Sequence, residues 1–212
     1  MPTRYNAIAG QSVERLAALS DGVFAVAMTL LVLDLRVPVR EAIHGDQDLW
    51  RALLALFPQI VTYLMSFLTL GIFWIGQQTQ LNYLSRSDRS LSWIHLFFLF
   101  SVTLVPFSTR LLSEFISFRT ALIVYWLNIL LLGVTLYLSW QCASTTGLVS
   151  ADMPSDVPAA IKRRIIVAQA LYAFGALLCV FSTYWSMAFI VLVQLNYAIA
   201  PKIFPFSRAR KN

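Results

Sequence analysis

Arg15, Ser20 and Asp21 stand just before an apolar run, Val23 to Leu33, that is interrupted only by Thr29 and followed by Asp34. Residues of these types in this order offer three kinds of chemistry. A carboxylate near a helix start meets the positive end of the helix dipole and spare N–H groups. An arginine one and a half turns earlier is a donor for that carboxylate. A lone hydroxyl within an apolar run presents lone pairs to a cation or its water, or back-bonds to the carbonyl four residues before it. His95, in "SWIHLFF", lies in another apolar stretch, where a buried imidazole must find a partner. Trp93 beside it carries a further donor, whereas His44 sits in the polar segment "AIHGDQD" and reads as solvated.

Other reactive constellations are missing from the sequence. It contains no glycine-rich phosphate loop, no His–Glu metal pair and no nucleophile elbow. Asp46 and Asp48 lack the rest of a calcium loop. Cys142 and Cys179 fall in or beside apolar segments, where a thiol acts as a small hydrophobe. The chain is therefore expected not to be an enzyme and to need no cofactor. Its net charge of +6 comes from basic residues at segment ends rather than clustered with aromatics, which points to a lipid bilayer as partner and away from nucleic acid.

The elements that position these residues follow from hydropathy. Of 212 residues, 58% are hydrophobic and 12% charged, the composition of a polytopic all-α membrane protein. Six segments can span a bilayer: about 16–35, 52–76, 91–112, 121–140, 165–181 and 185–203. They divide the chain into an N-terminal segment 1–15, a six-helix domain 16–203 and a basic tail 204–212. The N-terminal stretch has no apolar core followed by a small-residue cleavage site, so no signal peptide is expected before the first span. An even number of spans puts both termini on one side. That side collects 11 Lys and Arg against 5 on the other, so both ends are expected in the cytoplasm and the protein in the cell membrane.

At 100° per residue, Leu19, Gly22, Val26, Thr29, Leu30 and Leu33 share one face of the first span. Asp21 projects to the opposite side and Ser20 to a flank. Two readings stay open for Ser20-Asp21-Gly22: an N-cap or turn at the membrane surface, or a polar network reaching His95, Trp93 or Arg15. Asp34 either lies in an outer vestibule and concentrates cations or pairs with Arg36 or Arg40.

"RLAALSD", Arg15 to Asp21, resembles the Arg-x-x-x-Phe-Ser-Asp signature of the transmembrane protein 175 family of potassium channels. "GVFAVAMTLLVLDL" is similar to the family's first span, and "GIFWIGQQ" (Gly71 to Gln78) and "LVPFSTRLL" (Leu104 to Leu112) to its second and third. There are departures. Leu19 replaces the signature phenylalanine, Gln77 and Gln78 stand where histidine is expected, and His95 stands where asparagine is common.

The resemblance implies a single-repeat, homotetrameric channel without a re-entrant pore loop, the first helix of each protomer lining a central path for K+. Arg15, Ser20 and Asp21 would brace that helix against the second and third spans, together with His95 and Trp93. Val26, Leu30 and Leu33 would form apolar constrictions, and Thr29 a hydroxyl ring. Two other functions fit the residues themselves. One is a small secondary transporter, proton-linked through Asp21 and His95; the other is a scaffold whose polar residues only hold helices together.

Overall fold

The computed structural model describes residues 12–199. The first helix, α1, runs Val13–Val32. Ser12 starts it, with an extended backbone and a side chain that accepts the Arg15 N–H at 3.3 Å. The helix therefore begins about a turn before the expected span 16–35, because a cap residue rather than hydropathy sets its start.

The expected second span, 52–76, is two helices. α2, Asp46–Ala55, and α3, Phe57–Leu81, meet at Leu56. Pro58 has no N–H for the Leu54 carbonyl and its ring crowds that oxygen, so one helix cannot run through. At the other end α3 continues past Gly76. Gln77 and Gln80, polar by composition, are buried against protein rather than released to water.

A second proline acts in the same way on the third span. α4, Arg89–Thr103, and α5, Val105–Glu114, are parted at Leu104 ahead of Pro106. α6, Arg119–Thr145, ends at Gly147, whose φ of +68° is the left-handed cap conformation, with the Leu148 N–H on the Ala143 carbonyl at 3.2 Å. Just beyond, Ser85 N–H reaches Leu148 O and Ser150 N–H reaches Tyr83 O, tying the α3–α4 connection to the chain after α6.

α7, Val157–Leu177, starts eight residues before the expected span, so Lys162, Arg163 and Arg164 lie on a helix and not in a loop. A 3₁₀ turn, Leu178–Val180, leads to α8, Thr183–Ile199. The expected end of the last span and the basic tail 204–212 lie outside the described residues, as does most of segment 1–15.

Five stretches among the described residues are long and apolar enough to cross a membrane: Val13–Val32, Phe57–Leu81, Arg89–Glu114, Arg119–Thr145 and Val157–Val180. α8 is apolar and contributes 17 described residues. The protein is a multi-pass, all-helical membrane protein. α6 is the hub, burying Leu122, Tyr125, Ile129, Leu132 and Trp140 and packing on α4, α5 and α7. α1 packs on α3, α4 and α5.

Away from α1, one buried polar cluster ties four helices. Ser66 and Thr69 of α3 meet the Tyr125 hydroxyl at 3.3 and 3.1 Å. Thr109 of α5 donates to Ser66, and Gln194 of α8 donates to Thr69, each at 2.7 Å.

α6 and α7 approach closely because Gly133 has no side chain. Gln169 lies across it and donates to the Ile129 carbonyl at 3.3 Å, and a Cβ on Gly133 would sit 1.9 Å from the Gln169 amide nitrogen. Gly133→Ala is expected to destabilise the protein by about 1–3 kcal/mol through overpacking. Adding Gln169→Ala should restore most of the loss. Thermal unfolding of the two variants in detergent checks the pair; an unchanged melting temperature for Gly133→Ala would contradict the close approach.

Candidate functional site

α1 divides into a face that packs and a face that does not. Ser20, Phe24, Ala27 and Leu31 are buried against the protomer. Leu19, Gly22, Val26, Thr29, Leu30 and Leu33 are exposed, Val26 to 58% and Leu33 to 72%. This is the face drawn from the sequence. An open groove of about 420 Å³ runs along it, walled by Ala18, Val26 and Leu30 and, from the α4–α5 break, by Thr103 and Pro106.

The packing side is held by polar contacts to α3 and α4. Gln77 Nε2 donates to Ser20 Oγ at 2.9 Å, and His95 Nε2 lies 2.7 Å from the same oxygen. Ser20 Oγ also reaches the Leu16 carbonyl at 2.7 Å. The set closes when Ser20 gives its single proton to Leu16 and accepts from Gln77 and from His95 as its Nε2–H tautomer, a tautomer assigned from the network. All three side chains are buried.

Asp21 is held next door by different residues. One of its oxygens, Oδ1, accepts from Trp74 Nε1 and from Gln78 Nε2, each at 2.8 Å. Trp74, Gln77 and Gln78 stand at i, i+3 and i+4 of α3, so a single stripe of that helix engages both Ser20 and Asp21.

The structure thus brings Ser20 and His95 together but gives Asp21 partners that the sequence reading did not name. Trp93 points outward, 62% exposed, and Arg15 is exposed one turn inside the start of α1. Trp74 and Gln78 were missed, although their signal was present as the i, i+3, i+4 spacing in "WIGQQ". Gln77 and His95 read as two unrelated departures from the resembled pattern, yet they are neighbours. Relative to the resembled pattern the carboxamide and the imidazole stand on opposite helices, and both converge on Ser20.

Thr29 donates to the carbonyls of Ala25 and Val26 at 3.0 and 2.9 Å. Its proton is committed to its own helix, so only acceptor lone pairs remain for anything on the exposed face. At the far end, Asp34 lies 3.9 Å from Arg110 of α5, while Arg36 pairs with Glu114 at 3.1 Å. Arg40 donates instead to the Ile43 carbonyl.

Comparison with known proteins places this geometry. The model of the endosomal/lysosomal potassium channel TMEM175 family matches residues 15–106. A potassium channel of Streptomyces collinus is 37% identical over 155 residues, 71% of this chain and 73% of that one. One of Chamaesiphon minutus is 29% identical over 189 residues, 87% and 93% of the two chains. The Gallus gallus endosomal/lysosomal proton channel TMEM175 is 34% identical over 111 residues, 49% of this chain but 22% of that one. The crystal structure of a lysosomal potassium-selective channel TMEM175 homolog from Chamaesiphon minutus superposes with a TM-score of 0.77 at 28% identity, covering 88% of this chain and 96% of that one. With a span-forming α1 pinned through Ser20 and Asp21, and with relatives matched over most of their length, the chain belongs to the TMEM175 family of channels.

Proposed function

We propose that this cation channel conducts K+ passively along the axis of a homotetramer, with α1 of each protomer lining the path. The observation that carries the reading is the two-sidedness of α1. Between Leu16 and Val32 every charged or strongly polar group other than Thr29 lies off the Val26/Leu30 face, Thr29 presents acceptors alone, and the exposed Arg15 stands at the N-terminal end of that face. Beyond Arg15 such a face can take the hydration shell of a cation and has no donor to offer an anion. Relatives named as potassium channels support the choice of ion.

Four Val26 side chains close a ring one turn before the Thr29 ring, with Leu30 and Leu33 forming further rings. Apolar rings of this kind gate by dewetting, because an ion stripped of water there gains no new ligand. A continuous helix keeps its carbonyls for its own hydrogen bonds, so hydroxyls are the only protein ligands available. Selection of K+ over Na+ is then modest. Asp34 adds a weak outer field, offset by Arg110 beside it.

In this reading six helices, from about 16 to 203, form the channel domain in the cell membrane, with residues 1–15 and the tail 204–212 cytoplasmic. The same arrangement leaves Asp21 and His95 without a shared hydrogen bond, which disfavours a proton-linked carrier built on that pair. No resident cofactor takes part.

Three measurements test the proposal. Planar-bilayer recordings should give unitary K+ currents; saturable electroneutral flux without them would identify a carrier. Thr29→Ala should lower the K+-to-Na+ permeability ratio, while Val26→Asn should raise basal conductance by wetting the constriction. Both unchanged would mean that another helix lines the path. Ser20→Ala leaves Gln77 and His95 without their shared partner, at a cost of about 1–3 kcal/mol. It should lower the melting temperature and the current yet leave the permeability ratio of surviving channels at its wild-type value.

A further inference from the structure

α2 buries none of its ten residues, although six of them are apolar. Its large side chains are not scattered. Trp50, Leu53 and Leu54 share one face, with Trp50 67% and Leu54 69% exposed. Across the junction at Leu56 that face runs in helical register into Phe57, Ile60 and Leu64, the exposed stripe of α3. The α3 stripe belongs to a membrane-crossing helix, so the surface that α2 continues is one that meets hydrocarbon.

α2 cannot itself be part of the crossing. From Asp46 to Leu81 is 36 residues, about 54 Å of helix against a hydrocarbon core of about 30 Å. The excess must leave the core, and Pro58 supplies the break at which it does. The opposite face of α2 carries Asp48 and Arg51, paired with each other at 3.7 Å.

From these placements we propose that α2 is an interfacial anchor: it lies along the bilayer surface at the end of the first span, with Trp50, Leu53 and Leu54 in the acyl-chain boundary and Asp48 and Arg51 toward water. The partner is the lipid surface itself. Between Arg36 and Ala55 the chain holds three arginines and three acids, hence no net charge. Binding therefore comes from apolar insertion, and zwitterionic lipid suffices. Joined to α3 without a loop, and to α1 through residues 33–45, the anchor sets the depth at which both spans end.

The full chain, with Cys142→Ala and Cys179→Ala, is reconstituted in phosphatidylcholine vesicles. A spin label is placed at Leu54→Cys or, on the polar face, Ala55→Cys. Power saturation with oxygen and with a water-soluble nickel chelate should give an oxygen-to-nickel ratio several-fold higher at position 54 than at 55, unchanged when phosphatidylglycerol is added. Ready nickel access at 54 would overturn the proposal, as would a ratio that rises with phosphatidylglycerol. So would a label at 54 that is shielded from both reagents and broadened by its neighbours, since a second copy of the chain would then be the occupant. A cysteine-independent measurement uses bromine-labelled phosphatidylcholine: Trp50→Tyr should reduce the fraction of tryptophan fluorescence that is quenched, and no reduction would place Trp50 outside the lipid.

Discussion

Polar atoms inside a hydrocarbon layer must find partners within the protein, and this requirement fixes how α1 is turned. Ser20 and Asp21 are consecutive, so they point about 100° apart. Both are engaged, Ser20 by Gln77 and His95, Asp21 by Trp74 and Gln78. Two adjacent pinned residues leave no rotational freedom about the helix axis. Each intramembrane hydrogen bond is worth only about 0.6–2 kcal/mol. Turning α1 by one residue, however, breaks all of them together and strands a carboxylate in lipid. The unpartnered Val26/Leu30 face is the geometric complement of that brace.

The protomer separates this task from that of holding itself together. The Tyr125 cluster joins α3, α5, α6 and α8 and makes no hydrogen bond to α1. α1 buries Phe24, Ala27 and Leu31 in the apolar core, with Val23 and Met28 partly buried against it. The polar contacts to α3 and α4 add orientation to this apolar attachment, with Gln77 and His95 converging on Ser20 from the two helices. Gln77 Oε1 remains buried without a partner, so the pair is not fully satisfied.

The exposed face of α1 was legible because it depends on 3.6-residue periodicity within one helix. Five of the six expected spans were legible too, but their ends were not. Hydropathy counts apolar residues and is blind to Ser12 as a cap, to Pro58 as a break, and to glutamines that face protein instead of water. The partners of Asp21 were hidden for a different reason. They lie on another helix, and which stripe of α3 faces α1 is decided by packing across some fifty residues of sequence. The spacing of Trp74, Gln77 and Gln78 marked a stripe without naming what it would meet.

Charge at the C-terminal end of α1 bears on where ion selection can occur. Asp34 and Arg110, and Arg36 and Glu114, form two opposed pairs joining the end of α1 to α5. Paired charges largely cancel beyond a few ångströms, and salt screens what remains within about 10 Å. In the proposed tetramer the outer mouth therefore contributes little to cation enrichment. The burden falls on the narrow part, where the dielectric is low and the Thr29 proton is already spent on Ala25 and Val26. An oriented hydroxyl with both lone pairs outward is a fixed dipole, and four of them discriminate by sign strongly but by ionic radius weakly, because side chains one rotamer deep can follow an ion of either size. In the proposed tetramer, rejection of anions and modest preference among monovalent cations would thus come from the same committed hydrogen bond.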